Sequence, residues 1–269
     1  MAEAEHYAIR GGLQGRERLR IISRTLHPTT TALLERVGVG AGQQCLDVGC
    51  GGGDVTVELA RRVGPDGRAV GVDIDETKLG LARQETAAHG LGNVEFRAVD
   101  IRTEDAGSGF DVVYARFLLT HLSDPAVTVA AFFKHLRPGG VAVVEDVDFS
   151  GSFTWPASDA FERYRRLYYA VVHKRGGDPN IGGRLPLLLR DAGFERIEMN
   201  VVQPMGMVGE AKLITPITME NIADSILQDR LASREEIDAI VRELRAFAAD
   251  PGTVAGVPRI VQAWGRRPG

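Results

Sequence analysis

Five charged residues stand where short apolar runs of the chain end: Asp47, Asp73, Asp100, Arg116 and Asp146. A carboxylate so placed can hold an ammonium group by charge, or two neighbouring hydroxyls by a pair of charge-assisted hydrogen bonds. Asp47 lies two residues before the first glycine of Asp47-Val-Gly-Cys-Gly-Gly-Gly-Asp54, where it suits an ammonium far better than a phosphate. Asp73 follows that turn at roughly the 20 residues where an acid meets the ribose hydroxyls of a bound nucleotide. His121 comes just after the fourth apolar run, and histidine is the side chain most readily tuned to take a proton near neutral pH. It could equally cap a short helix or pack beneath a cover. Together these residues would bind something flat and polar, with a candidate base beside it.

Positioning them requires regular elements. Residues 44–48 read as a buried strand and 56–62 as a helix, joined by a turn almost without side chains. Gly49, Gly51 and Gly53 allow positive φ and close approach of a ligand, while the helix beyond is expected to turn free N–H groups toward it. A dinucleotide fingerprint needs a small third residue where this chain has Asp54, so a pyrophosphate fits poorly and an NAD-dependent oxidoreductase is the weaker alternative. The plain structural alternative is a tight strand-to-helix connection.

Runs at 68–75, 93–101, 109–116 and 141–149 give four further strands. Asp75 and Asp124-Pro125 start helices 76–89 and 125–136. Strand and helix alternating five times predict a parallel sheet wound on both faces, whose ligands bind beyond the carboxyl ends of the strands, where all five charged residues fall. Upstream, the helical spacing of Leu19, Ile21, Ile22 and Leu26, then of Leu33, Leu34 and Val37, predicts two helices, the second started by Pro28. Downstream come a loop at 150–156 with Trp155 and an aromatic helix at 157–174 with Tyr168. Helix 184–192, a sixth strand at 194–202, helices 218–228 and 233–249, and a seventh strand at 257–265 at the sheet's far side complete the chain.

The pattern Asp-x-Gly-x-Gly-x-Gly resembles the first motif of the class I S-adenosylmethionine-dependent methyltransferases. With the turn Leu136-Arg-Pro-Gly-Gly140 it is similar to the ubiquinone and menaquinone biosynthesis type and its antibiotic-tailoring relatives, well over residues 5–150 and in outline beyond. The resemblance implies a doubly wound, seven-stranded, mostly parallel sheet of Rossmann-like form with N-terminal helices and a helical lid. It implies S-adenosylmethionine as cofactor, with S-adenosylhomocysteine as product. The cofactor would be held by Tyr7, Arg18, Asp47, Gly49, Gly51, Gly53, Asp73, Ile74, Asp100, Ile101 and Arg116, with Asp100 accepting from the adenine amino group and Ile101 packing on the ring. Tyr7 and Arg18 belong to an N-terminal helix that closes over the methionine end, although Arg16 and Arg18 could also form a solvated basic face. Catalysis would fall to His121 with Asp146 or Asp148 after the fifth strand, and the methyl acceptor would be a small apolar or aromatic metabolite, oxygen being favoured over carbon or nitrogen. A protein that keeps the cofactor site without turnover is a further alternative.

The totals agree with this class. The chain has 269 residues, 44% hydrophobic and 25% charged, enough for one large α/β domain with a cover. A net charge of −4 with scattered basic residues argues against nucleic acid as partner, and no apolar run reaches the ~18 residues of a membrane span. The start lacks a basic and then apolar signal, which places the protein in the cytoplasm. Cys45 and Cys50, without a second pair or a histidine cluster, read as packing residues, so no metal is expected. A small-molecule substrate is the expected partner, and a homodimer is left open. We divide the single domain into an N-terminal cover (1–40), a cofactor-binding core (41–150), lid segments (151–182 and 205–252) and the rest of the core (183–204 and 253–269). Trp155 and Tyr168 are candidates for the substrate wall, although the aromatics of 157–174 could serve as core instead.

Overall fold

The computed structural model describes residues 12–269, with side chains from residue 15 onward. It opens on one helix, α1 (Gly12–Arg36), which runs unbroken through Pro28. The two helices expected there are therefore one: Leu26, before the proline, and Leu33 and Leu34, after it, are all buried against the rest of the fold. Tertiary packing on both sides outweighs the hydrogen bond that proline removes.

The elements that follow are β1 (Gln44–Val48), α2 (Asp54–Val63), β2 (Arg68–Asp73), α3 (Glu76–Ala87), β3 (Val94–Ala98), β4 (Phe110–Arg116), α4 (Pro125–His135) and β5 (Leu136–Asp148). Asp75 caps α3 by accepting from the Thr77 and Lys78 N–H groups, and Asp124 caps α4. No helix joins β3 to β4; that crossover is a turn-rich loop, so the expected alternation is broken once. After β5 come β6 (Phe153–Trp155), α5 (Asp159–Lys174), α6 (Leu185–Asp191), β7 (Glu195–Val202), β8 (Met205–Gly206), α7 (Ile214–Gln228), α8 (Arg234–Ala249), β9 (Val254–Gly256) and β10 (Arg259–Arg266). The expected capping box of Ser233 and Glu236 opens α8.

Seven strands form one sheet in the order β3-β2-β1-β4-β5-β10-β7. The first five are parallel, and β10 is antiparallel to both neighbours. The last strand therefore lies inside the sheet, not at its far side, and β7 is the edge. Burial explains the exchange: Ile260 to Gly265 are all buried, as an interior strand demands, whereas β7 has no buried residue and is exposed at five of its eight positions. Strands β6, β9 and β8 form a small antiparallel sheet where a loop was expected at 150–156.

Side-chain alternation sorts the strands onto two apolar layers. Leu46, Val70, Val113, Ala142 and Val144 face α4 and α6. Cys45, Ala69, Val112, Val141 and Val143 face α1 and α2. A third layer joins α5, α7 and α8 through Tyr164, Tyr168, Ile222 and Ile240. Among the described residues no helix is long and apolar enough to cross a membrane.

Candidate active site

Alternation also decides which strand-end residues meet. Asp47, Asp73, Tyr114, Arg116 and Val147 have the parity of the layer under α1, and all five line one cleft of ≈ 1510 Å³, its open mouth included. Asp146 has the opposite parity and does not line it. At the floor, Gly49, Gly51 and Gly53 take φ of 68°, 54° and 78°. A Cβ on Gly49 would lie 2.9 Å from Leu118, and one on Gly53 2.6 Å from Phe96, so these turns close tightly only without side chains.

Four of the turn's own amides are engaged, while the first turn of α2, whose amides were the ones expected to face the ligand, has no side-chain cap. Gly49 and Cys50 N–H both donate to the Val72 carbonyl (2.8 and 3.0 Å), Gly53 N–H donates to the Cys50 carbonyl (2.9 Å), and Gly51 N–H donates to Asp73 Oδ2 (2.9 Å). Three carboxylates, those of Asp47, Asp54 and Asp73, line the cleft beside this turn, which further disfavours a pyrophosphate. Asp73 Oδ1 also accepts from the Asp75 N–H at 2.9 Å, so its carboxylate is fixed at the rim. Asp47 is buried and accepts from Thr56 Oγ1 at 2.6 Å; burial pushes its carboxyl up to about 6, against the pull of the Thr56 hydroxyl and the Arg116 charge. Cys50 also lines the cleft, and burial holds its thiol, like that of Cys45, protonated.

Helix α1 forms the roof. Arg16 sits on Gly52, where a Cβ would come within 2.5 Å of its Nη1, and it pairs with Asp54 (2.6 Å) and Glu85 (2.5 Å). The solvated basic face considered for Arg16 is thus overturned, because its guanidinium is spent on two acids that tie α1 to α2 and α3. Arg18, half-buried, crosses instead to α7, where its Nε donates to Thr218 Oγ1 at 3.0 Å. Arg116 donates to Thr30 Oγ1 at 3.2 Å. Lys78, one turn into α3, also reaches the cleft.

His121 closes a 3-10 turn (Leu119–His121) after β4 and lines the cleft. Burial, then the charges of Arg18 and Lys78, pushes its imidazole down to about 3, so it is neutral at every working pH. Asp146 lies fully buried behind that turn, accepting from Thr120 N–H (3.1 Å) and Val147 N–H (2.8 Å), and burial raises it to about 7. The expected catalytic contact of Asp146 is corrected: it holds the turn that carries His121 and faces away from the cleft, because its neighbour Val147 occupies the cleft side of β5. Asp148 caps the turn after β5 and pairs with Arg259. Sequence reasoning missed Glu145, a buried carboxylate accepting from Thr30, Tyr114 and Gln262, which joins α1 to three strands.

The far wall is aromatic. Tyr168, Tyr164, Phe161 and Phe149 line it, Tyr168 stacking on Phe149 at 4.1 Å. The two readings of α5 merge, since the same tyrosines are core for α7 and α8 and wall for the cleft. Trp155 is corrected: it is 71% exposed on β6 and does not line the cleft, because β6 pairs with β9 and turns both its aromatics outward. Tyr7 lies outside the described residues. Asp100 and Ile101 stand two and three residues past β3, beyond Val99, whose N–H donates to the Asp73 carbonyl. Asp100 accepts from the Arg102 backbone N–H (3.0 Å) and from its guanidinium (2.9 and 2.7 Å), Ile101 is buried in the core, and Ile74 is exposed. The structure thus gathers nine of the residues singled out from the sequence around one cleft (Arg18, Asp47, Gly49, Gly51, Asp73, Arg116, His121 and Tyr168 as lining, Gly53 beneath) and leaves Ile74, Asp100, Ile101, Asp146 and Trp155 off its wall. Lys78, Tyr164 and Thr218 were not assigned roles; only Tyr164, one helical turn before Tyr168, carried a signal.

A ligand with an ammonium group, a vicinal diol and apolar parts fits this donor set: Asp47 for the cation, Asp73 for the diol, and side-chain-free glycines for close approach. Comparison with known proteins agrees. A family profile described as a methyltransferase domain matches residues 40–182, more than half of the chain. The chain belongs to this family of class I S-adenosylmethionine-dependent methyltransferases, and its cofactor is S-adenosylmethionine. Phosphoethanolamine N-methyltransferase 1 of Arabidopsis thaliana is 28% identical over 224 residues, 82% of this chain and 38% of that protein. A ubiquinone biosynthesis O-methyltransferase of Acinetobacter baumannii is 38% identical over 109 residues, 39% of this chain and 44% of its own. The chain thus spans less than half the length of these curated relatives. A phosphoethanolamine N-methyltransferase 2 of Haemonchus contortus, solved with S-adenosylhomocysteine, superposes with a TM-score of 0.57 at 19% identity, covering 90% of this chain and 53% of that one.

Proposed function

We propose that this protein transfers a methyl group from S-adenosylmethionine to a hydroxyl oxygen of a small, apolar or aromatic metabolite, with His121 taking the proton. The observation that carries the reading is one cleft with Asp47 and Asp73 at one end, Phe161, Tyr164 and Tyr168 at the other, and His121 on its wall. Bound there, the cofactor supplies an electrophilic methyl group. The chain's own work is to align: Asp47 takes the ammonium, Asp73 the ribose diol, and the aromatic wall excludes water and orients the acceptor. A neutral imidazole can accept a hydroxyl proton as the new bond forms, whereas an amine acceptor already neutral would need no base. Relatives named for O- and for N-methylation both match this chain, so the acceptor atom rests on His121. In the same reading α1 and the helices of 151–182 and 205–252 are cover and lid, and Asp100 and Ile101 receive the adenine once Arg102 is displaced.

Two measurements test it. The folded protein should bind S-adenosylmethionine or its demethylated product by calorimetry; no binding of either overturns the reading. His121→Ala should keep that affinity and lower transfer to a hydroxyl acceptor by about 10²- to 10⁴-fold. A loss below tenfold would leave His121 a structural residue and the reaction one of alignment alone.

A further inference from the structure

No acid pairs with Arg18 among the described residues. Among the described residues its one hydrogen-bond partner is the neutral hydroxyl of Thr218, engaged through Nε, which leaves both Nη groups of the guanidinium fork uncommitted. Its neighbours on α1 are handled differently: Arg16 is paired with Asp54 and Glu85, Arg20 with Glu85, and Arg24 with Glu210. A half-buried guanidinium in a cleft without a counter-charge is costly unless a ligand supplies one, and a planar fork is the geometry that grips a carboxylate or phosphate through two parallel bonds.

The position of Arg18 within the cleft decides which ligand that is. Arg116 is the cation whose field reaches Asp47, at the glycine turn. Arg18 is fixed to α7, and its field reaches His121 and Tyr164, at the aromatic end. We infer that Arg18 is a substrate anchor rather than a cofactor residue, and that the methyl acceptor carries an anionic group, carboxylate or phosphate, seated between Arg18 and the aromatic wall. This rests on the proposed function and narrows its substrate class. It also bears on the base: the charges that face His121 are Arg18 from α1 and Lys78 from α3, and an anion on Arg18 would offset the larger of these two charge effects on its basicity.

The test uses 4-hydroxybenzoate and its methyl ester, which share a ring and a phenol and differ in the charge, titrated into protein saturated with S-adenosylhomocysteine. The wild type should bind the anion at least tenfold more tightly than the ester. In Arg18→Gln that preference should fall to within about twofold, with S-adenosylhomocysteine affinity unchanged within about twofold, and Arg18→Lys should retain part of the preference. 4-Hydroxyphenyl phosphate in place of the benzoate distinguishes the two anions. No preference in the wild type, including no binding of either compound, overturns the inference, as does a preference that survives in Arg18→Gln. Loss of S-adenosylhomocysteine binding in Arg18→Gln would return Arg18 to the cofactor. Failure of the wild type to bind S-adenosylhomocysteine at all speaks against the proposed function itself.

Discussion

Asp47 shows how one residue ties cofactor binding to pH. Its carboxyl is raised to about 6 by burial, so near neutral pH it is charged only by a modest margin. A cofactor ammonium needs the charged form, and affinity for S-adenosylmethionine should therefore weaken by up to about tenfold per pH unit below 6. Asp47→Asn should bind more weakly at pH 8 and show no such fall; calorimetry across pH 5–8 checks it, and parallel profiles for the two proteins would remove Asp47 from the cofactor site. This residue was legible in the sequence because an acid before a glycine turn has few uses. The pairing of Arg16 with Glu85 was not, since the two are 69 positions apart and nothing local links them.

Between element and residue stands the turn after β4. Its backbone N–H at Thr120 is satisfied by Asp146 from β5, a carboxyl raised to about 7 by burial. A folded-state value above the unfolded one means that the native state holds the proton more tightly, so the stability due to Asp146 is full below about 4 and is lost as pH rises from about 4 to about 7. The size should be roughly 2 to 4 kcal/mol. Asp146→Asn, neutral at every pH, should lack that slope, matching wild type near pH 4 and being the more stable of the two at pH 8 in urea denaturation; equal slopes would contradict the assignment. At this scale the sequence was a good guide wherever a period or a cap was local: β1, β2, β4 and both aspartate-capped helices lie where they were expected. It misled where distant packing decides, as at Pro28 within α1 and at β6, whose three residues are a strand only because β9, a hundred positions on, lies beside them.

Over the whole molecule the protein is a sheet with a separate helical layer. Helices α5, α7 and α8 share an apolar core of their own and meet the sheet mainly through Val147 and Phe149. Hydrogen exchange should therefore show residues 151–182 and 211–250 opening at lower free energy than β1 and β5, and slowing when S-adenosylhomocysteine is added. Equal, global-level protection of both would mean that the layer is no lid. The class of fold was legible because apolar strands ending in charge alternate with helices along the chain; the depth of the cleft and its aromatic wall were not, since shape is set by packing between helices far apart in sequence.

The interior place of β10 has a consequence for how the protein is made. During synthesis β5 and β7 are both on the outside of the ribosome before the strand that pairs with each has been translated. Until β10 is available, β5 presents an unpaired edge over Val141–Asp148, buried in the finished fold along most of its length. A nascent chain stalled between β5 and β10 thus carries an edge open to pairing with another such edge.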